Sequence, residues 1–444
     1  MPDAWRDSWV VPLYKGKGDV QECRNYRGIK LLSHTMKLWE RVIEARLRKT
    51  TSIGSGQFGF MPGKSTMEPI FALRQTMEKF RKRGQKMHMV FIDLEKAYDK
   101  VPRELIWEVL RKRRVEDRYV AVVKDMYEGV KTRVRTAGGV SGRFEVGVGV
   151  HQGSALSPYL FILIMDELLK GVETEVPWDM KFADDMVQIA EQVREAVERL
   201  ASVQEALESK GLKINREKTE HMESRWKGEQ DSGERVTIEG RELKKVDSYK
   251  YLGTVVQEDG KIDREVSGKI QAGWRKFREA SGVLCDRRVP VRLKGKVYES
   301  AVRPAMLYAS ECWAITKKEE QKLHVAEMRM LRMLCGVTRM DRIRNETIRE
   351  TLGVSSVSDK MRQNRLRWFG HVYRKPEDDS VRRAWRGETV RQVGRGRPEQ
   401  TWDAVIKKDL KELGLVEEDA KDRARWRAKI HVPTPAQLGK GRGK

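Results

Sequence analysis

Apolar positions along the chain change period several times, and each change predicts an element. Leu38, Val42, Ala45 and Leu47 recur near helical spacing. Met87-His88-Met89-Val90-Phe91-Ile92 is a short, mainly apolar run closed by Asp93, the pattern of a buried strand that empties into a site. Leu105, Ile106, Val109 and Leu110 predict a helix after Pro102, and valine- and glycine-rich pieces at 130–136 and 144–150 predict short strands. Ser157-Pro158 reads as an N-cap followed by proline at the first helical position, opening an apolar helix over 159–169. A strand pair surrounds Ala183-Asp184-Asp185. Residues 194–210 place Val197, Leu200, Val203 and Leu207 on one helical face, with Gly211 set to end it. Strands at 236–239 and 249–256 complete a central α+β unit.

After residue 260 the pattern is helical, carried by Val266, Ile270, Trp274 and Phe277, then Leu293, Val297 and Ala301, then Leu323, Met328, Leu331 and Leu334. Boundaries are expected near 260 and between 340 and 360. No internal repeat is visible, and only the tail at 439–444 has a disordered composition.

Composition narrows the partner. With 444 residues the chain is long enough for several subdomains, and its net charge of +24 attracts a polyanion. Beyond Asp359 there are eleven more cations than anions on 85 residues, almost half of the total excess. Cys23, Cys285, Cys312 and Cys335 stand far apart, without zinc or disulfide spacing, and read as reduced intracellular thiols. No signal-peptide order and no apolar run near the ~20 residues of a membrane span is present, so the expectation is a soluble, non-secreted protein.

Asp184-Asp185 in an apolar strand-turn-strand setting is physically unusual, since adjacent like charges repel and raise each other's pKa. Taken alone the pair also fits a polar hairpin turn. Asp93, ending a different apolar strand, alters the picture. Carboxylates converging from two neighbouring strands can hold two hard cations ~4 Å apart for an in-line phosphoryl displacement, and magnesium suits oxygen ligands of this kind.

Here the residues resemble a known family. Phe182-Ala183-Asp184-Asp185 resembles the aromatic-x-Asp-Asp signature of reverse transcriptases, and Phe91-Ile92-Asp93-Leu94-Glu95-Lys96-Ala97-Tyr98-Asp99-Lys100-Val101-Pro102 is similar to the first catalytic motif of non-LTR retrotransposons. The order of seven motifs carries the resemblance over residues 10–340. The others are the pair Lys15-Gly16-Lys17-Gly18-Asp19 and Asn25-Tyr26-Arg27-Gly28-Ile29-Lys30-Leu31-Leu32, then Gln57-Phe58-Gly59-Phe60-Met61-Pro62-Gly63-Lys64-Ser65-Thr66, then Gly149-Val150-His151-Gln152-Gly153-Ser154-Ala155-Leu156-Ser157-Pro158. Lys210-Gly211-Leu212-Lys213-Ile214-Asn215-Arg216-Glu217-Lys218-Thr219 and Tyr249-Lys250-Tyr251-Leu252-Gly253 complete the series.

The resemblance implies an α+β, right-hand polymerase with fingers at 1–86, a palm with an antiparallel sheet at 87–260, a helical thumb at 261–350 and a small basic helical region at 351–444. It implies that Asp93, Asp184 and Asp185 are catalytic and hold two Mg2+, with Mn2+ as a substitute. Tyr98 matches the aromatic under the incoming sugar, and Gln152 and Gly153 the loop that positions nucleotide and template. Lys218 matches the basic residue near pyrophosphate. Arg27, Lys30 and Lys64 are candidates for the triphosphate, with the choice among them open. Tyr249, Tyr251, Leu252 and Gly253 match the primer grip. Arg365, Arg367 and Trp368, with Arg395 and Arg397, resemble the nucleic-acid-binding tail of the RTE-like group, against which stands a small basic domain with buried tryptophans. Implied partners are an RNA template, a DNA primer or RNA–DNA hybrid, and dNTPs, with no membrane and no protein partner evident. The implied location is the nucleus, with a cytoplasmic stage during ribonucleoprotein assembly.

The family's upstream endonuclease is expected to be missing, as are a cysteine–histidine knuckle and an RNase H carboxylate set, so the chain reads as a polymerase region or a truncated copy of an element. Three functions remain at this point: a polymerising enzyme, an inactive remnant that only binds RNA or hybrid duplex, and a maturase-like splicing factor.

Overall fold

The computed structural model describes residues 1–16, 18–226, 231–387 and 400–433. The elements used below are, in chain order, β1 (Asp7–Tyr14), β2 (Tyr26–Leu31), α1 (His34–Thr50), α2 (Met67–Arg83), β3 (His88–Ile92), α3 (Arg103–Lys112), β4 (Lys131–Thr136), α4 (Ser157–Leu168), β5 (Asp179–Phe182), β6 (Asp185–Ala190) and α5 (Val193–Glu208). They continue with β7 (Ser248–Tyr251), β8 (Thr254–Gln257), α6 (Asp263–Glu279), α7 (Lys317–Cys335), α8 (Val357–Tyr373), α9 (Trp402–Leu413) and α10 (Arg423–Lys429). Contacts divide the chain into two compact units. One comprises Met1–Thr66, His88–His221 and Gly233–Lys245, and the other Met67–Met87, Met222–Ser232 and Val246–Lys444. The segment Met67–Met87, expected with the first 86 residues, is thus built into the second unit.

The first unit holds two mixed sheets. In one, β3 is central and fully buried, antiparallel to β6, which is antiparallel to β5. The strand Glu220–Glu223 flanks β3 on the other side and pairs in parallel with Lys244–Lys245. In the second sheet β1 runs antiparallel to β2 and parallel to β4. Helices α3, α4 and α5 cover the first sheet with an apolar core that includes Val90, Ile92, Leu110, Phe161, Ile164 and Leu200. Burying β3 on both faces explains why it reads as a continuous apolar run rather than an alternating one.

Three local expectations change. Helix α1 forms, but its buried face is Met36, Glu40, Ile43 and Leu47, while Leu38 and Val42 are exposed. The buried side is fixed by a carboxylate, Glu40, whose oxygens accept from Ser154 Oγ at 2.6 Å and Ala155 N at 2.8 Å. At 144–150 only Phe144–Glu145 is a strand. Gly149 and Val150 donate instead to the carbonyls of Val101 and Tyr98. Ser157 is not a cap, because its hydroxyl accepts from His151 N, while Ser154 Oγ accepts from Leu156 N and Ser157 N at the helix entrance. Gly211, at φ +82°, ends the helical stretch as expected.

In the second unit the strands end at Gln257 and everything after is helical among the described residues. The β7–β8 hairpin turns through Leu252 and Gly253, both at positive φ. Its turn carbonyls accept from Tyr308 Oη and Lys269 Nζ, and Glu265 of α6 accepts from Val255 N and Thr254 Oγ1. Helix α2 runs through this unit with Phe71 edge-on to Trp368 and Trp402, at ring separations of 5.6 and 4.7 Å.

Candidate active site

Register builds the carboxylate site. Ile92 pairs with Met186, so extending that antiparallel register by one residue sets Asp93 opposite Asp185, and Phe182 pairs with Asp185 across a two-residue turn, Ala183-Asp184. Strand adjacency, inferred above from apolar runs alone, is therefore real, and three carboxylates share one sheet end. Asp93 is further anchored through its backbone, its N–H donating to Thr219 Oγ1 and its carbonyl accepting from Asn215 N at 2.8 Å.

The electrostatics follow from crowding. Burial, then the charge of Asp93, raises the Asp184 carboxyl above the usual range, with Arg27 and Lys218 opposing. Asp185 shows its side chain to solvent, yet burial of its base and the charges of Asp184 and Asp93 push it up to about 6. Lys218 Nζ stands 3.2 Å from Asp93 Oδ2 and supplies the nearest compensating cation. Among the described residues no three His, Cys, Asp or Glu side chains are already drawn to ligating distance around one point. The donor set still suits a hard divalent cation: oxygen ligands only, in mutual repulsion that a cation would relieve.

Beside this edge lies a cavity of about 1030 Å3 lined by Lys15, Arg24, Arg27, Lys96, Lys100 and Lys218, with Glu95 the single acid among its described lining residues. Glu95 is engaged by Lys100 at 2.6 Å, so the cavity's net charge is strongly positive. Of the three triphosphate candidates only Arg27 lines it. Lys30 is 5% exposed, and its ammonium, pulled down to about 8 by burial and by Arg103, lies near Glu40. Lys64 donates to the carbonyls of Ser55 and Gln57 at 2.9 and 2.8 Å. Neither is among the cavity's described lining residues. Lys15 of the first motif and Arg24, neither of them among those candidates, line it beside Arg27.

Tyr98 is half-buried, stacked on Phe161 at 4.4 Å, with its hydroxyl buried and unpartnered and its pKa raised by burial and by Asp184. Gln152 Nε2 lies 3.5 Å from Asp99 Oδ1. Gly153 has φ +111°, and a Cβ there would meet the Lys30 carbonyl at 2.3 Å. Its missing side chain is required first by this strand–loop packing, where Lys30 N donates to Gln152 O at 2.7 Å.

Two positioning side chains escaped the sequence reading. Glu40 pins the Ser154-Ala155 loop as described. Gln57 Oε1 accepts from both Gly59 N at 2.8 Å and Ala183 N at 3.0 Å, holding the turn where Ala183 sits at φ +59°. Phe58 N and Lys181 N add backbone bonds that lay this segment along β5. A Cβ on Gly59 would meet Ala183 N at 2.5 Å, which is why glycine stands there. A glutamine in a glycine-containing loop was the available signal, but nothing local distinguishes it from a solvated turn.

Tyr249 and Tyr251 flank the β7–β8 turn within the second unit, Tyr251 buried and Tyr249 half-buried. Toward the C-terminus, the expected contacts at Arg365 and Trp368 fail. Arg365 is 5% exposed and its Nε lies 2.7 Å from Asp409 Oδ2, an internal ion pair, and Trp368 is buried against Phe71. Helix α8 is too thoroughly packed for interleaved basic and aromatic residues to mean an exposed stacking surface. Arg367 is exposed, and Arg395 and Arg397 lie outside the described residues, as does the tail at 439–444.

The family model for reverse transcriptase (RNA-dependent DNA polymerase) matches residues 15–256, more than half of the chain. A probable RNA-directed DNA polymerase from transposon BS of Drosophila melanogaster is 24% identical over 392 residues, covering 84% of this chain and 43% of that protein. The RNA-directed DNA polymerase from mobile element jockey of the same species is 25% identical over 383 residues, covering 81% and 41%. The chain therefore spans less than half the length of these curated relatives. Among solved structures, a telomerase from Candida tropicalis bound to a fragment of telomeric RNA aligns with a TM-score of 0.43 and 12% identity, over 80% of this chain and 62% of that one. With the matched region enclosing the sheet edge, the basic cavity and the turn that carries Asp184, the chain belongs to the reverse transcriptase family.

Proposed function

We propose that this chain is the polymerase region of a non-LTR element and acts as an RNA-directed DNA polymerase, extending a DNA 3′-hydroxyl on an RNA template with dNTPs. The observation that carries this reading is the register of β3, β5 and β6, which brings Asp93, Asp184 and Asp185 to one sheet end beside a cavity lined by six cations. In this reading the β3–β6 sheet is the palm, the β1–β2–β4 sheet belongs to the fingers, the helices after residue 260 form the thumb, and the β7–β8 hairpin grips the primer.

Asp93 and Asp184, with Asp185 beside them, would hold two magnesium ions. When bound, these supply the Lewis acidity that activates a 3′-hydroxyl and neutralises charge on the departing pyrophosphate. The residues do the rest. Arg27 and Lys15 bind triphosphate oxygens, Arg as a bidentate fork. Lys218, its side chain 67% exposed, exchanges its contact with Asp93 for the pyrophosphate and can deliver a proton there. Tyr98, held flat by Phe161, forms the floor under the sugar and leaves no room for a ribose 2′-hydroxyl. Gln152 meets the nucleotide or template from the opposing loop. The nucleus is the proposed site of action, with a cytoplasmic stage during ribonucleoprotein assembly.

Purified protein with oligo-dT annealed to poly-A, dTTP and magnesium should extend the primer, and Asp184→Ala should reduce extension by at least ~10²-fold, the scale of losing one charge-stabilising group. Equal extension by the two proteins would refute the assignment.

A further inference from the structure

Away from the carboxylate site, the second unit contains a cavity of about 450 Å3 whose lining is cationic: Lys360, Arg367, Arg374, Arg423 and Arg427, with no carboxylate among the described lining residues. Two rows face one another across it. Lys360 and Arg367 lie seven residues apart on α8, Arg374 follows by the same interval just past its end, and this spacing keeps all three on one face. Arg423 and Arg427 are one turn apart on α10. Arg367, Arg423 and Arg427 are exposed and make no ion pair among the described residues. Asp359 and Glu412 are engaged with Arg362, Asp419 with Lys429, and Asp422 at the N-terminus of α10, while Glu311 offsets part of the charge of Arg367 and Glu299 part of that of Lys360.

Cations that outnumber the acids around a concavity repel one another, and the side chains register it. Arg374 is held below its ordinary value by burial and by Arg423, and Lys360 by burial and by Arg367. Folding has therefore concentrated positive charge where a dispersed arrangement would cost less, and an anionic occupant relieves that cost. Trp426, although in the lining, is 2% exposed, and its Nε1 donates to Leu366 O at 3.0 Å, so it offers no face for a base. Recognition here is of charge and not of base identity.

We propose that the trough between α8 and α10 is a binding site for the phosphodiester backbone of single-stranded RNA, sequence-independent and separate from the polymerase cavity. Guanidinium forks from Arg367, Arg423 and Arg427 grip successive phosphates, and Arg374 and Lys360 supply the deeper charge. Of the contacts expected in the described C-terminal helices, this keeps Arg367 and leaves out the buried Arg365 and Trp368. It takes from the proposed function only that the protein handles RNA.

The test uses the full chain and a fluorescent mixed-sequence RNA without nucleotide or divalent cation, so that it reads the trough whether or not the carboxylate site polymerises. Arg423→Gln with Arg427→Gln should lower the slope of log affinity against log salt by about 1.4, the value for two lost contacts to a single strand. Photo-cross-linking followed by peptide mapping should place RNA on residues 423–431 in the wild type and lose it in the variant. Arg423→Lys with Arg427→Lys should keep most of the slope, which separates lost charge from lost fold. An unchanged slope without cross-links to 423–431 overturns the proposal. So does displacement of RNA from these peptides by millimolar inorganic phosphate, which would make the trough a small-anion site.

Discussion

Asp185 carries a cost of assembly that can be measured. Its carboxyl titrates near 6 instead of the ordinary 3.8 because burial, Asp184 and Asp93 disfavour its charge. Between those two values the folded protein holds a proton that the unfolded chain has released. The group's penalty on stability is therefore complete above about 6 and disappears as pH falls toward 4. Asp185→Asn should raise stability at pH 7.5 by ~1 kcal/mol, a figure discounted for its solvent exposure, and the gain should shrink at pH 5, as read from thermal melts at both values. Activity has the opposite slope: extension by the wild type should fall as acid protonates the carboxyl, and with magnesium present the fall should come at a lower pH than in the metal-free protein, because a bound cation favours the ionised form. A melting difference that is the same at both pH values would show that Asp185 is not strained by charge.

At the scale of elements, the reactive edge is held by segments distant in sequence. The Gln57 loop is bonded along β5 and satisfies two buried N–H groups with one carbonyl oxygen. Gln57→Leu leaves both without an acceptor, so stability should drop by about 1–3 kcal/mol in denaturant titrations. The turn at Ala183 should also relax, lowering the extension rate while template–primer affinity is retained. A variant that loses stability but extends at the wild-type rate would confine Gln57 to a packing role. In the C-terminal helices the Arg365–Asp409 pair is almost fully buried. Asp409→Ala should cost about 3–5 kcal/mol by stranding the guanidinium, whereas Arg365→Met with Asp409→Leu should melt close to the wild type. If the single and double variants melt alike, the pair is solvated and Arg365 regains its candidacy as a nucleic-acid contact.

For the whole molecule, the excess of 24 positive charges sets the response to salt. Binding to an RNA–DNA hybrid should weaken by more than about tenfold between ~50 and ~200 mM salt, since each neutralised phosphate releases counterions. A flat profile in a filter-binding or anisotropy series would mean that the positive excess does not face nucleic acid. At this scale two distinct concentrations of charge emerge, the cavity around Arg27 and Lys15 in one unit and the trough around Arg423 and Arg427 in the other. Net charge predicted a polyanion but could not divide it.

What was legible in the sequence is what short-range patterns encode. A buried strand must be apolar and a turn must be polar, so Asp93 and Asp184-Asp185 could be placed on strand ends, and the order of seven motifs tied them together. Gly211 could be read because positive φ at a helix end selects glycine. Side-chain direction was not legible, because it depends on what another segment brings to the same point. Lys30, Lys64 and Arg27 occupy similar basic motifs, yet only packing against Glu40, against the Ser55 and Gln57 carbonyls, or into open space separates them. The face of α1 was misread for the same reason, since a glutamate becomes a core residue only once Ser154 and Ala155 arrive to hydrogen-bond it. Local periodicity determined the elements and the identity of the carboxylates; tertiary contact, which satisfies each buried charge with a distant partner, decided which of the remaining polar residues face the site.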